Sequence, residues 1–203
     1  MRVLFIIIMI IASGNYTCLA QGFGIKAGVH LDNSDIKCSG VEADRKPGFE
    51  AGAFYELALP VMTAWKINVG LSYYNNRFKL QDDYGNSTGI TYHFSENNLK
   101  LPVTIKYQLD YEVIKTFISG GVYSSYMFSG KIKDSESSQS IKYEKSGDKI
   151  DYGVSVGIGA LLLSHVGLNI NYDFGFAERN IVLGDQYVSA KNRKCSILLS
   201  YIF

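Results

Sequence analysis

The chain has 203 residues, with 20 Lys and Arg against 19 Asp and Glu. That balance offers no basic field to nucleic acid and no acidic tail, so nucleic-acid partners and charge-driven disorder are excluded. Twenty glycines and 15 tyrosines stand beside 3 prolines and 1 tryptophan, and this composition, without long apolar runs in the body of the chain, points to an all-β architecture.

Residues 1–20 read as a signal peptide. Arg2 supplies a positive start, Val3 to Ile11 an apolar stretch too short to span a bilayer, and Cys18 and Ala20 the small-residue positions before Gln21. Cleavage is expected after Ala20. Asn15, Tyr16 and Thr17 ahead of Cys18 do not match the small-residue motif of a lipoprotein. The mature chain, 21–203, is expected to form one exported domain.

Glycine, serine and asparagine clusters divide the mature chain into eight runs of period two. The first sets Phe23, Ile25, Ala27 and Val29 against Gly24, Lys26, Gly28 and His30. The second sets Phe49, Ala51, Ala53, Tyr55, Leu57 and Leu59 against Glu50, Gly52, Phe54, Glu56 and Ala58. Trp65, Ile67, Val69, Leu71 and Tyr73 then oppose Lys66, Asn68, Gly70 and Ser72. Leu99, Leu101, Val103, Ile105 and Tyr107 oppose Lys100, Pro102, Thr104 and Lys106. The fifth run, with Ile118, Val122, Tyr126 and Phe128 against Ser119, Gly121, Tyr123 and Ser125, is the least regular. Residues 152–162 and 166–176 alternate cleanly, and the last run carries Ile197, Leu199, Tyr201 and Phe203 on one face and Ser196 and Ser200 on the other.

The links alternate in length. Polar segments 31–47, about 78–95, 130–149 and 179–192 follow the odd runs, and short links at 60–63, 108–113 and 164–165 follow the first three even ones. This sorting is the pattern of an eight-stranded antiparallel up-and-down transmembrane β-barrel, with four long outer loops and three short periplasmic turns. About ten residues per strand would cross a bilayer when tilted. A soluble lipocalin-like barrel would put its apolar face inside instead. Side-chain size decides between the two, because the polar face is built of Gly, Ser, Asn and Thr, and a narrow lumen needs small residues while a solvated face does not. Tyr73, Tyr107, Tyr152 and Phe176 lie near strand ends on the large face, where aromatic girdles belong.

On this assignment Lys26, Glu50, Glu56, Lys66, Lys100, Lys106 and Asp173 line the lumen. Charges of both signs in a confined space pair, which gives a salt-bridge plug. The alternative is a pore lined by lysine, for which eight strands leave little room. Pro102 sits awkwardly in a paired strand and calls for a bulge or a wide hydrogen-bonding site.

Asn97 to Tyr107, Phe117 to Gly130 and Asp151 to Leu162 together resemble the PorT-like outer-membrane β-barrel proteins of Bacteroidetes, small barrels of the OmpX and OmpA type. The resemblance extends over residues 21–203, and the Leu-x-Leu-Pro strand is its most specific piece. It implies an outer-membrane barrel of a Gram-negative bacterium. Through the founding member it implies a link to secretion of proteins across that membrane.

No motif supports catalysis. An outer-membrane enzyme acting on lipid or protein would draw on His30 and His93, with Asp32, Ser34 and Asp35 beside the former, but their spacing fits no triad. His165 falls in a periplasmic turn. Residues 32–35 and 81–86 are too short for a calcium loop, 133–149 has the mixed charge of an outer loop, and Asn86-Ser87-Thr88 is a bare sequon. No cofactor or metal is expected. Cys38 and Cys195 lie near the outer end of the seam between first and last strands and could join in a disulfide, or remain two free thiols.

The expected function is therefore a structural or interaction barrel of the cell outer membrane, with a secretion component and an enzyme as alternatives. Expected partners are outer-membrane lipid, the barrel-assembly machinery during biogenesis and a protein at the outer loops. Tyr201 and Phe203, with apolar residues at alternate positions before them, resemble the signal that this machinery recognises.

Overall fold

The computed structural model describes residues 21–32, 35–37, 41–59, 62–82, 91–133, 138–140, 149–183 and 186–203. Their strands are β1 (Gln21–Asp32), β2 (Asp35–Lys37), β3 (Val41–Leu59), β4 (Met62–Asp82), β5 (Thr91–Asp110), β6 (Ile114–Lys133), β7 (Ser138–Ser140), β8 (Ile150–Leu162), β9 (Val166–Leu183) and β10 (Gln186–Ile202). The eight long strands pair antiparallel in the order β1-β3-β4-β5-β6-β8-β9-β10. β10 then returns to β1, from Gly24 opposite Ile202 to Asp32 opposite Lys194. The sheet is a closed barrel, so its backbone donors and acceptors satisfy one another where no water reaches them. β2 and β7 are three-residue additions, on β10 and β6 respectively.

Period two decides the faces. Ile25, Val29, Leu71, Leu101, Val122, Ile158, Leu168 and Leu199 stand out from the barrel, exposed, while their neighbours in sequence turn inward. An apolar outer surface of this extent fits lipid rather than water. Aromatic pairs mark its two borders. Trp65 meets Tyr107 with ring centroids 5.0 Å apart, and toward the other end Tyr73 meets Phe128 at 6.2 Å and Tyr152 meets Phe176 at 6.5 Å. Trp65 and Tyr73 share β4, and eight residues of tilted strand separate the borders by about 20 Å along the axis, close to the ~25 Å apolar band of outer-membrane barrels.

The strands are longer than their alternation suggests. Segments assigned above to long loops continue the ladders: β3 and β4 pair out to Val41 opposite Asp82, β4 and β5 to Gln81 opposite Thr91, and β9 and β10 to Leu183 opposite Gln186. Apolar alternation reports the bilayer, not the strand. Beyond the lipid neither face must be apolar, yet backbone pairing with the antiparallel neighbour persists. The 21 residues of β4 span about 50 Å along the axis at a tilt near 40°, so paired hairpins rise well past the apolar band.

The opposite end is tight. Tyr111 donates to the carbonyl of Ile114 at 3.0 Å, and His165 to that of Leu162 at 3.1 Å. Leu163 and Ser164 hold φ of 50° and 64° in the latter turn, a left-handed conformation unfavourable for side chains of this kind.

Pro102 is accommodated without a bulge. The β4–β5 register keeps its phase from Val69 opposite Val103 to Ser72 opposite Lys100, and the ladder skips the two positions between. The missing N–H leaves a gap on the β4 side, opposite Gly70, whose bare Cα gives the ring room. On the other side Pro102 keeps its place opposite Tyr123.

Candidate functional site

The inward face is organised in layers along the axis. At the end bearing the tight turns, the Phe54 ring fills the hollow left by Gly24 and the Phe117 ring that left by Gly159; a Cβ on either glycine would meet the ring itself. Phe54, Phe117, Leu161 and Leu198 are all buried, so this part of the lumen is closed by apolar side chains.

Against the phenylalanines lies a first ionic group. Glu56, inward on β3, accepts from Lys66 at 2.9 Å and from Lys106 at 2.6 Å. The Lys106 ammonium also lies 4.7 Å from the Phe117 ring centroid and 5.4 Å from that of Phe54. Such contacts partly replace the water an ammonium loses on burial.

A second ionic group crosses the middle of the lumen. Lys194 on β10 donates to Glu50 Oε2 at 3.0 Å and lies 3.5 Å from Asp173 Oδ2. Lys100 donates to the same Asp173 oxygen at 2.5 Å, and Lys26 stands 3.8 Å from Glu50 Oε1. Lys194 is wholly inaccessible to solvent, and its ammonium sits 3.6 Å above the Tyr74 ring centroid.

Toward the outer hairpins the layer becomes rich in amide and hydroxyl groups, with Asp151 among them. Tyr123 and Asn192 donate to Asp151 Oδ2 at 2.9 Å and 2.7 Å. Tyr74 donates to Ser125 Oγ at 3.1 Å, and His30 Nε2 to Asn76 Oδ1 at 2.9 Å. Asn75 donates to the Glu96 carbonyl at 3.1 Å and to Asn97 Oδ1 at 2.7 Å.

The seven charged residues singled out in the sequence thus lie inside the barrel, in two groups rather than one network. Sequence reading passed over Lys194, Asp151 and Tyr74. Lys194 fell between the loop read at 179–192 and the last run read from Ser196, although its parity with Ser196, Leu198 and Ser200 places it on the inward face. His30 points into the lumen, bonded to Asn76 rather than to Asp32 or Asp35. The His93 backbone lies out on the β4–β5–β6 hairpins, opposite Lys79 and Lys133. His165 Nδ1 makes a 2.6 Å contact to the Leu163 carbonyl in its turn. Among the described residues no three His, Cys, Asp or Glu gather as metal ligands.

Cys38, Ser34, the sequon at 86–88, and most of the 81–86 and 133–149 segments lie outside the described residues. Cys195 is a free thiol on the outward face, opposite Leu31 and Tyr172. Between the two ionic groups a cavity of about 50 Å³ remains, room for a few water-sized bodies rather than a channel.

The sequence matches the family model described as outer membrane protein beta-barrel domain over residues 19–178. The chain belongs to that family. No curated protein matches it. Among solved structures, outer membrane protein OprG from Pseudomonas aeruginosa is similar with a TM-score of 0.51 at 15% identity, covering 91% of this chain and 97% of that one. A major outer membrane protein from Thermus thermophilus gives 0.49 at 16%, over 91% and 100% of the two chains. Neisserial surface protein A gives 0.47 at 11%, over 89% and 97%. At these identities the OprG likeness speaks for the fold. As an outer-membrane barrel, the protein sets its Trp65–Tyr107 and Tyr73–Phe128 pairs at the two borders of the bilayer and its ion-paired face inside.

Proposed function

We propose that this outer-membrane barrel serves a structural or interaction role through its outer hairpins, with its lumen acting as a plug. One observation carries the reading: phenylalanines and two ionic groups fill the lumen, while paired strands continue past the lipid-facing band. Surface offered to other molecules is concentrated on the hairpins, where a protein partner would bind, and the barrel wall meets outer-membrane lipid. Export through the signal peptide at 1–20, cleavage after Ala20 and recognition of Tyr201 and Phe203 by the barrel-assembly machinery belong to the same proposal. The resemblance of residues 97–107 to the proline-bearing strand of PorT-like Bacteroidetes barrels supports a second reading, a component of outer-membrane secretion.

A deletion strain tests the main reading. Complementation with a variant lacking residues 79–93, rejoined near the rim, should restore a folded, heat-modifiable barrel in the outer membrane without restoring the envelope phenotype. Complementation with a lumen variant that still folds should restore both. Full rescue by the trimmed barrel would remove the interaction role, and normal secretion in the deletion strain would remove the second reading.

A further inference from the structure

The cavity between the two ionic groups is lined by Lys26, Lys100 and Lys106, with Glu50 on the same wall and Phe54 and Phe117 beneath. Serine and asparagine groups such as Ser119, Ser155 and Asn171 complete a wall rich in donors. Lys100 and Lys106 are more than nine-tenths buried.

The charge around this space does not balance. Lys66 and Lys106 share Glu56, Lys26 and Lys194 share Glu50, and Lys100 and Lys194 share Asp173. Five ammonium groups thus meet three carboxylates. Further carboxylates, Asp151, Asp32 and Glu96, are buried toward the outer hairpins, and Asp151 is held there by Tyr123 and Asn192.

Lys26 is the decisive group. Its nearest carboxylate oxygen is 3.8 Å away, beyond hydrogen-bond reach, and among the described residues no hydrogen bond to its ammonium is formed. It extends into the cavity with only 14% of its side chain exposed. A buried ammonium with its donors unmet is costly unless something in the cavity accepts from it.

We propose that the cavity is a binding site for a small monovalent inorganic anion of the chloride class, held between Lys26, Lys100 and Lys106. A volume of about 50 Å³ is a few times the ~10–15 Å³ that one water needs. A halide with one or two waters fits; a sugar or nucleotide does not. Glu50 on the wall works against a compact dianion, so the site suits a single negative charge.

The folded protein in detergent, titrated with chloride and followed by chloride-35 NMR, should broaden the halide line in a saturable way that bromide reverses. Crystals grown in bromide should show one anomalous peak in the cavity, against Lys26, Lys100 and Lys106. Lys26→Met, confirmed as folded by heat-modifiable mobility, should lose the saturable broadening and weaken binding at least ten-fold. If Lys26→Met does not fold, the wild-type bromide peak decides alone. Water without bromide in the cavity, unchanged broadening in Lys26→Met, or half-saturation far above the ~0.15 M of a physiological medium would each overturn the proposal.

Discussion

Lys194→Met removes the ammonium that ties the middle of the lumen together and keeps the volume of the side chain nearly constant. The variant loses a 3.0 Å bond to Glu50, a 3.5 Å ion pair with Asp173 and the contact 3.6 Å above the Tyr74 ring. Asp173 retains Lys100, but Glu50 is left with Lys26 at 3.8 Å and Ser196 Oγ at 3.5 Å. Removing one partner of a buried pair costs about 3–5 kcal/mol, because the remaining charge stays buried and uncompensated. With a urea dependence of about 2 kcal/mol per molar, the unfolding midpoint should fall by roughly 1.5–2.5 M. The assay is urea unfolding of the reconstituted protein, followed by loss of the heat-modifiable gel band and by tryptophan emission from Trp65. Lys115→Met is the control, since the Lys115–Asp110 pair is 3.5 Å long and open to water, and an exposed pair contributes under about 1 kcal/mol. Adding Glu50→Gln to Lys194→Met should recover at least half of the loss. A midpoint change for Lys194→Met no larger than that of the control, or no recovery in the double variant, would refute a lumen held by ion pairs.

Three further outcomes follow from the geometry. Gly24→Val drives a side chain into the Phe54 ring and should destabilise the barrel by about 1–3 kcal/mol, with Phe54→Ala relieving part of that cost in a double-variant unfolding series. Leu199→Arg, on the lipid face between Ala27 and Leu168, should cost about 2–4 kcal/mol in lipid vesicles, and arginine at Phe203 near the border no more than about 1 kcal/mol. Ser164→Gly removes a side chain from a residue at φ 64° and should raise stability by up to about 1 kcal/mol, read as a higher urea midpoint.

The lipid-spanning part of the fold was legible because the bilayer imposes alternation on every strand that crosses it. Ile197, Leu199 and Tyr201 announce their face without any knowledge of their neighbours. The hairpins beyond it were not legible, since Arg179 to Leu183 and Gln186 to Lys191 continue the backbone ladder through a stretch of sequence with no apolar period. The same boundary hid Lys194. It stands where the apolar alternation of β10 fades, and only the register with Asp32 and Asp173 shows what it faces. Which lysine meets which carboxylate could not be read at all. Lys100 and Asp173 are far apart in sequence and come together across the lumen, through a closure and shear that local pattern does not encode. Pro102 was visible as an anomaly, and its resolution, a gap in the ladder rather than a bulge, depends on the bare Cα of Gly70 across from it.

The central claim is that the small polar face turns inward and the large apolar face meets lipid. Spin labels placed singly at positions 196 to 201, in a Cys38→Ser and Cys195→Ser background reconstituted into bilayers, test it directly. The account predicts strong collision with lipid-dissolved oxygen at 197, 199 and 201, and protection at 196, 198 and 200. The opposite phase, or oxygen access without a period of two, would contradict it.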